Sequence, residues 1–92
     1  MTKEKEVIDK RMIAIGNKFR QMRKDAGYSS YDNIAWDLGL SRNQISRIER
    51  GKNITLETLL FMLDAHGVSL AEFFAEFEEK RDATLKKVKN GR

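Results

Sequence analysis

Four times along the chain a helix-forming run with apolar side chains three or four residues apart is closed by a glycine, at Gly27, Gly39, Gly51 and Gly67. Residues so spaced share one face of an α-helix, and glycine is the residue that most readily ends one. No segment alternates apolar and polar residues with a period of two over a useful length, and the chain has no proline. Such punctuation predicts an all-α chain. Ile8, Met12, Ile15, Phe19, Met22 and Ala26 outline a long first helix over about 8–26. Ser29 and Ser30 are alternative N-caps for a short second helix whose buried stripe is Ile34, Ala35 and Leu38. Ser41 caps a third helix over 42–50, and Thr55 caps a fourth, "LETLLFMLDAH", with Leu56, Leu59, Leu60 and Leu63 directed inward. Ser69 with Glu72 forms a capping box, and Val68 with Phe73 a hydrophobic staple, for a fifth helix from about 70 to 79. The expected fold is a compact five-helix domain without a sheet.

At 92 residues the chain supports one small core and one domain, placed at 7–79. Residues 80–92, "KRDATLKKVKNGR", are basic and nearly free of large apolar groups, so a solvated C-terminal tail is expected there. Without cysteine, neither a disulfide framework nor a thiolate metal site is available. The N-terminal "MTKEKEVIDKR" is charged, and no stretch reaches the roughly 18 uninterrupted apolar residues of a membrane span. A cytoplasmic protein with no membrane partner is the expectation. The formal charge of +4 favours a polyanionic partner only where it is clustered.

Clustering is found in "LSRNQISRIERG", residues 40–51. On a helical wheel Arg42, Asn43, Ser46, Arg47 and Arg50 fall within an arc of about 140°, while Ile45 and Ile48 lie opposite. An ordinary solvated face mixes glutamate, lysine and alanine, whereas this arc holds no acid. Arginine can donate two hydrogen bonds to guanine O6 and N7, and asparagine can pair with adenine N6 and N7, so the face suits a DNA major groove. Gln44 and Arg50 sit at the edges of the arc, where phosphate contact and plain exposure both remain open. Ahead of this helix, counting from Tyr31, the residues Ile34, Ala35, Leu38, Gly39, Leu40, Ile45 and Ile48 occupy the positions that a helix-turn-helix keeps apolar or small. Ala35 must be small where the second helix of the motif crosses, and Gly39 permits a positive φ in the turn.

With that register, "IGNKFRQMRKDAG" through "GLSRNQISRIERGKNITLETLLFMLDAHGVSLAEFF", residues 15–74, resembles the Cro/repressor-type helix-turn-helix of the XRE family of bacterial and phage regulators. The resemblance implies a lambda-repressor-like five-helix domain, residues 42–50 as the recognition helix, and a homodimer on a double-stranded, palindromic DNA operator. It implies base reading by Arg42, Asn43 and Arg47, with Ser46 nearby. It implies phosphate contacts from Ser30 and Tyr31 at the start of the second helix and from Lys52 and Asn53 after the recognition helix, to which Ser41, Gln44 and Arg50 are added as neighbours. It also places Arg23 and Glu49 where relatives pair an arginine with a glutamate, a structural ion pair between helices one and three. Leu70, Phe73, Phe74 and Phe77 lie within about 100° on the fifth helix. Leu70 and Phe73 are expected to close the core, and Phe74 and Phe77 to meet a second copy. The chain departs from the family pattern in two places: Gly27 to Ala35 is one residue longer, and "SSYD" replaces the usual glutamine at the start of helix two.

Other chemistry is thin. Trp36 and Tyr28 read as core or surface packing. His66, the single histidine, stands beside Gly67, where an imidazolium would favour a helix C-terminus. Asp32, Asp37, Asp64, Glu57 and Glu72 are accounted for by helix N-termini and exposed faces. No set of nucleophile, base and orienting group emerges, so no enzyme activity, catalytic residue, metal or cofactor is expected. The expected function is sequence-specific DNA binding by a small transcriptional regulator. The second reading is an antitoxin-type module that inhibits a toxin-like partner enzyme and binds its own promoter. Restriction-modification controllers and phage Cro-like repressors are of similar size.

Overall fold

Each helix starts at a side chain of the kind that accepts an unpaired backbone N–H, and most use it. In the computed structural model, which describes residues 9–75 and 77, the helices are α1 (Lys10–Asp25), α2 (Tyr31–Leu38), α3 (Arg42–Glu49), α4 (Leu56–His66) and α5 (Leu70–Phe74). Asp9, Ser41, Thr55 and Ser69 accept from the first turns of α1, α3, α4 and α5. Between the two candidate serines for α2 the structure selects Ser30, whose hydroxyl makes no capping bond. The chain is all helical among the described residues, and none of those helices is long and apolar enough to cross a membrane.

The core joins one or more residues from every helix: Phe19 of α1, Ile34 and Ala35 of α2, Ile45 and Ile48 of α3, Leu59, Met62 and Leu63 of α4, and Phe73 of α5. The rings of Phe19 and Phe73 meet at 4.8 Å between centroids, which joins the first helix to the last. Two close approaches set the frame. At Gly16, in the middle of α1, an added Cβ would lie 2.6 Å from the Glu49 carbonyl oxygen and 2.8 Å from that of Ile48. The absent side chain therefore lets α1 press directly on the C-terminal end of α3. Between α2 and α3, Gly39 takes φ 72° and ψ 27°, the left-handed conformation that ends α2 and turns the chain into α3.

Several expectations about packing are corrected. Leu56 is 75% exposed and Leu60 is also exposed, while Met62, left out of the inward stripe, is buried. Leu70, expected to close the core, is 49% exposed. The first helix begins at Lys10, behind the Asp9 cap, and its last residue is Asp25. Of the fifth helix expected over about 70–79, the structure shows Leu70–Phe74, followed by a tighter turn in which Phe77 N–H donates to the Phe74 carbonyl at 3.1 Å; residues 78 and 79 lie outside the described residues. The Phe77 ring lies 5.5 Å from that of Phe73 and 5.4 Å from that of Phe74, within the range of favourable aromatic pairs. The basic segment 80–92 and the N-terminal residues 1–8 lie outside the described residues.

His66 is likewise corrected. Its Nε2 is buried without a hydrogen-bond partner, and burial holds its pKa below the usual 6.5. Desolvation thus outweighs the favourable helix C-terminus, and the imidazole is neutral rather than cationic at neutral pH. Trp36, on α2, is 85% exposed and packs on nothing substantial. Tyr28 instead half-buries its ring, and its hydroxyl donates a short hydrogen bond to Asp37, which raises the phenol pKa.

Candidate nucleic-acid interface

The position of α3 is fixed from three sides. Its start is held by a reciprocal box: Ser41 Oγ accepts the Gln44 N–H at 3.0 Å, and Gln44 Oε1 accepts the Ser41 N–H at 2.8 Å. Its underside is held by Ile45 and Ile48, both buried. Its end is held by Glu49, whose carboxylate turns into the protein. Arg23 Nε donates to Glu49 Oε2 at 2.7 Å and Arg23 Nη2 to Oε1 at 3.1 Å, while Arg20 Nε reaches Oε1 at 3.3 Å. Arg23 and Glu49 are both buried, and the carboxylate holds the guanidinium pKa above its already high ordinary value. Arg23 Nη1 also donates to the Tyr28 carbonyl at 2.9 Å, and the guanidinium carbon stands 5.0 Å from the centroid of the Tyr31 ring.

The electrostatic consequence is direct. Glu49 is the acid of α3, and two arginines behind the helix occupy it. The outward face retains Arg42, Asn43, Gln44 and Arg47, all exposed, with Ser46 half-buried among them. Arg50, at the C-cap, folds back so that its Nε donates to Ser46 Oγ at 3.2 Å. Arg42 forms an exposed ion pair, its Nε 2.7 Å from Oδ1 of Asp32 on α2.

Beside this face, Asn53, Thr55 and Thr58 line a shallow depression together with Gln44 and Arg47. Lys52 is half-buried at the foot of α3, where its N–H donates to the Arg47 carbonyl at 3.0 Å. At the start of α2, Ser30 is exposed and Tyr31 half-buried. The structure therefore gathers Arg42, Asn43, Ser46 and Arg47 on one helix surface, with Ser41, Gln44, Asn53 and Lys52 along its flanks. Phe74 and Phe77 sit apart on the α5 segment; Phe74 is 38% exposed and Phe77 is half-buried against Phe73.

Two features of the site were not read from the sequence. Gln44 serves first as the second half of a capping box, a role that the S-x-x-Q spacing of Ser41 and Gln44 carried in plain view. The pairing of Asp32 with Arg42 had no comparable signal, since it depends on how two helices cross. Among the described residues, no group of three or more His, Cys, Asp or Glu side chains is placed to hold a metal ion.

Residues 19–73, from the middle of α1 to the core phenylalanine of α5, match the helix-turn-helix family. The chain is also 33% identical over 69 residues to the control protein C.MunI from a Mycoplasma species, an alignment covering 74% of this chain and 93% of that protein. A left-handed glycine between two short crossed helices, the second outwardly basic, and a family match spanning most of the described core lead to one conclusion: the chain belongs to the XRE-type helix-turn-helix family and is a DNA-binding transcription regulator.

Proposed function

We propose that this regulator binds double-stranded DNA sequence-specifically as a homodimer, with α3 of each copy in the major groove of one half of a palindromic operator. The observation that carries the reading is the composition of the exposed α3 face: Arg42, Asn43 and Arg47 point outward while the helix's acid is turned inward onto Arg23. In this assignment Arg42, Asn43 and Arg47 read base edges, with Ser46 contributing beside them. Ser30, Tyr31, Ser41, Gln44, Arg50, Lys52 and Asn53 contact the phosphate backbone. Gln44 can do so with its amide NH₂, since its Oε1 is committed to the cap. A second copy is proposed to cover Phe74 and Phe77. The likeness to a protein named a control protein favours restriction-modification control over phage repression as the setting.

Selection from a randomised duplex library tests the reading. Arg42→Ala, Asn43→Ala and Arg47→Ala should each cost about 1–3 kcal/mol on the selected duplex and relax the preference at one base step. Equal losses on selected and random duplexes would remove base reading from these residues. A stable one-to-one complex with a small enzyme on copurification from the native host, with no DNA sequence preferred, would make the chain an antitoxin-type module instead.

A further inference from the structure

The ion pair between Arg42 and Asp32 is out of character for its place. Asp32 is the second residue of α2 and Arg42 the first of α3, so both sit in a first turn, where unpaired N–H groups make the local potential positive. That position suits Asp32 and disfavours Arg42, and the first turn of α3 contains no acid of its own. The other acids of α2 and α3 are engaged elsewhere: Asp37 accepts from the Tyr28 hydroxyl, and Glu49 is held by Arg23 and Arg20. Asp32 thus stands out as the carboxylate of these two helices that is paired with a residue of the proposed reading face.

Neither folding nor affinity explains it. The two side chains are 69% and 68% exposed, and ion pairs so open to water add little to stability. A negative charge at this edge also opposes attraction to a polyanion. What the contact changes is direction. An unrestrained arginine has many rotamers and binds a phosphate as readily as a base. With Nε held 2.7 Å from Asp32 Oδ1, the distal edge of the planar guanidinium, bearing its two Nη groups, is left as a fork for a pair of acceptors such as guanine O6 and N7.

We propose that Asp32 is a positioning residue that sets base specificity at the step read by Arg42 and keeps that arginine from acting as a general phosphate clamp. The proposal rests on the assignment of Arg42 as a base reader. Both are tested together by selecting the parent, Asp32→Asn and Arg42→Ala against one randomised duplex library, and by titrating salt with an unselected duplex. Asp32→Asn removes the charge with little change of shape. Asp32→Ser, also well suited to a first turn, is the second variant. Arg42→Ala should abolish the preference at one step. In Asp32→Asn the preference at that same step should fall from roughly tenfold or more to a few-fold, with other steps unchanged. Its binding to the unselected duplex should tighten, with a log–log salt slope steeper by about one.

If Asp32→Asn, which keeps an acceptor at Oδ1, and the shorter Asp32→Ser both retain the parent's preference at the step that Arg42→Ala loses, positioning by Asp32 is wrong while base reading stands. If Arg42→Ala changes no step, the assignment of Arg42 fails, and with it this proposal. A parent that selects no sequence overturns both.

Discussion

Gly16 is the residue at which the smallest substitution should do the most harm. A methyl group there would sit 2.6 Å from the Glu49 carbonyl oxygen, and the neighbours it meets are backbone atoms that cannot swing aside. Gly16→Ala should therefore destabilise the fold by about 1–3 kcal/mol in urea unfolding, although alanine is the better helix former. The contrast is Gly39, where an added Cβ meets nothing within 4 Å and the obstacle to substitution is the positive φ alone. His66 gives a residue-scale effect of a different kind. Its folded pKa is depressed below 6.5, so as pH falls past 6.5 the unfolded chain takes up the proton first. Stability is unaffected above that value, declines as pH drops toward the folded pKa, and levels off below it. His66→Gln should flatten the part of this decline nearest pH 6.5, read from urea midpoints at about pH 7.5 and pH 5.5. A parent whose midpoint is level across that interval would contradict the assignment of a neutral, desolvated imidazole.

Among elements, α1 and α3 are joined by the buried Arg23–Glu49 ion pair. Glu49→Ala would leave Arg23 charged and buried, at a cost of about 3–5 kcal/mol, whereas replacing both partners with Met and Leu should recover much of the loss. Chemical denaturation of the parent and the two variants measures this, and equal stability of single and double variants would show that the pair is not the source. The helices themselves were largely legible, because caps, glycine stops and the helix-turn-helix register act over a few residues. The third helix, its polar arc and its Ser41 cap could be placed for that reason. The inward face of α4 could not. Leu56, Leu59, Leu60, Phe61, Met62 and Leu63 make that helix apolar around most of its circumference, so periodicity does not choose a side. Tertiary packing chooses it, with Leu59, Met62 and Leu63 joining Phe73 in the core. Gly16 and the Asp32–Arg42 pair were hidden for the same reason, since residues far apart in sequence meet there.

For the molecule as a whole, several large apolar side chains are left outside the core. Leu70 and Phe74 stand one turn apart on α5 and are exposed, as are Leu56 and Leu60 on α4. This supports the proposed dimer and shifts its weight from Phe77, which partly closes the monomer, toward Phe74. Phe74→Asp should convert a micromolar dimer to a folded monomer in sedimentation, with weakened binding to a palindromic duplex. A parent that is monomeric both free and on DNA would place the second copy elsewhere or remove it. In such a dimer the two α3 helices would read half-sites roughly 34 Å apart, about one turn of duplex. Trp36, meanwhile, is the chain's single tryptophan and is 85% exposed on α2 of the DNA-binding motif. Its fluorescence in the native protein should already resemble that of an indole in water, leaving little spectral change for unfolding to produce. The same indole makes a nearly silent reporter of folding into a sensitive one of docking, because whatever settles on the outer side of α2 must displace the water around it.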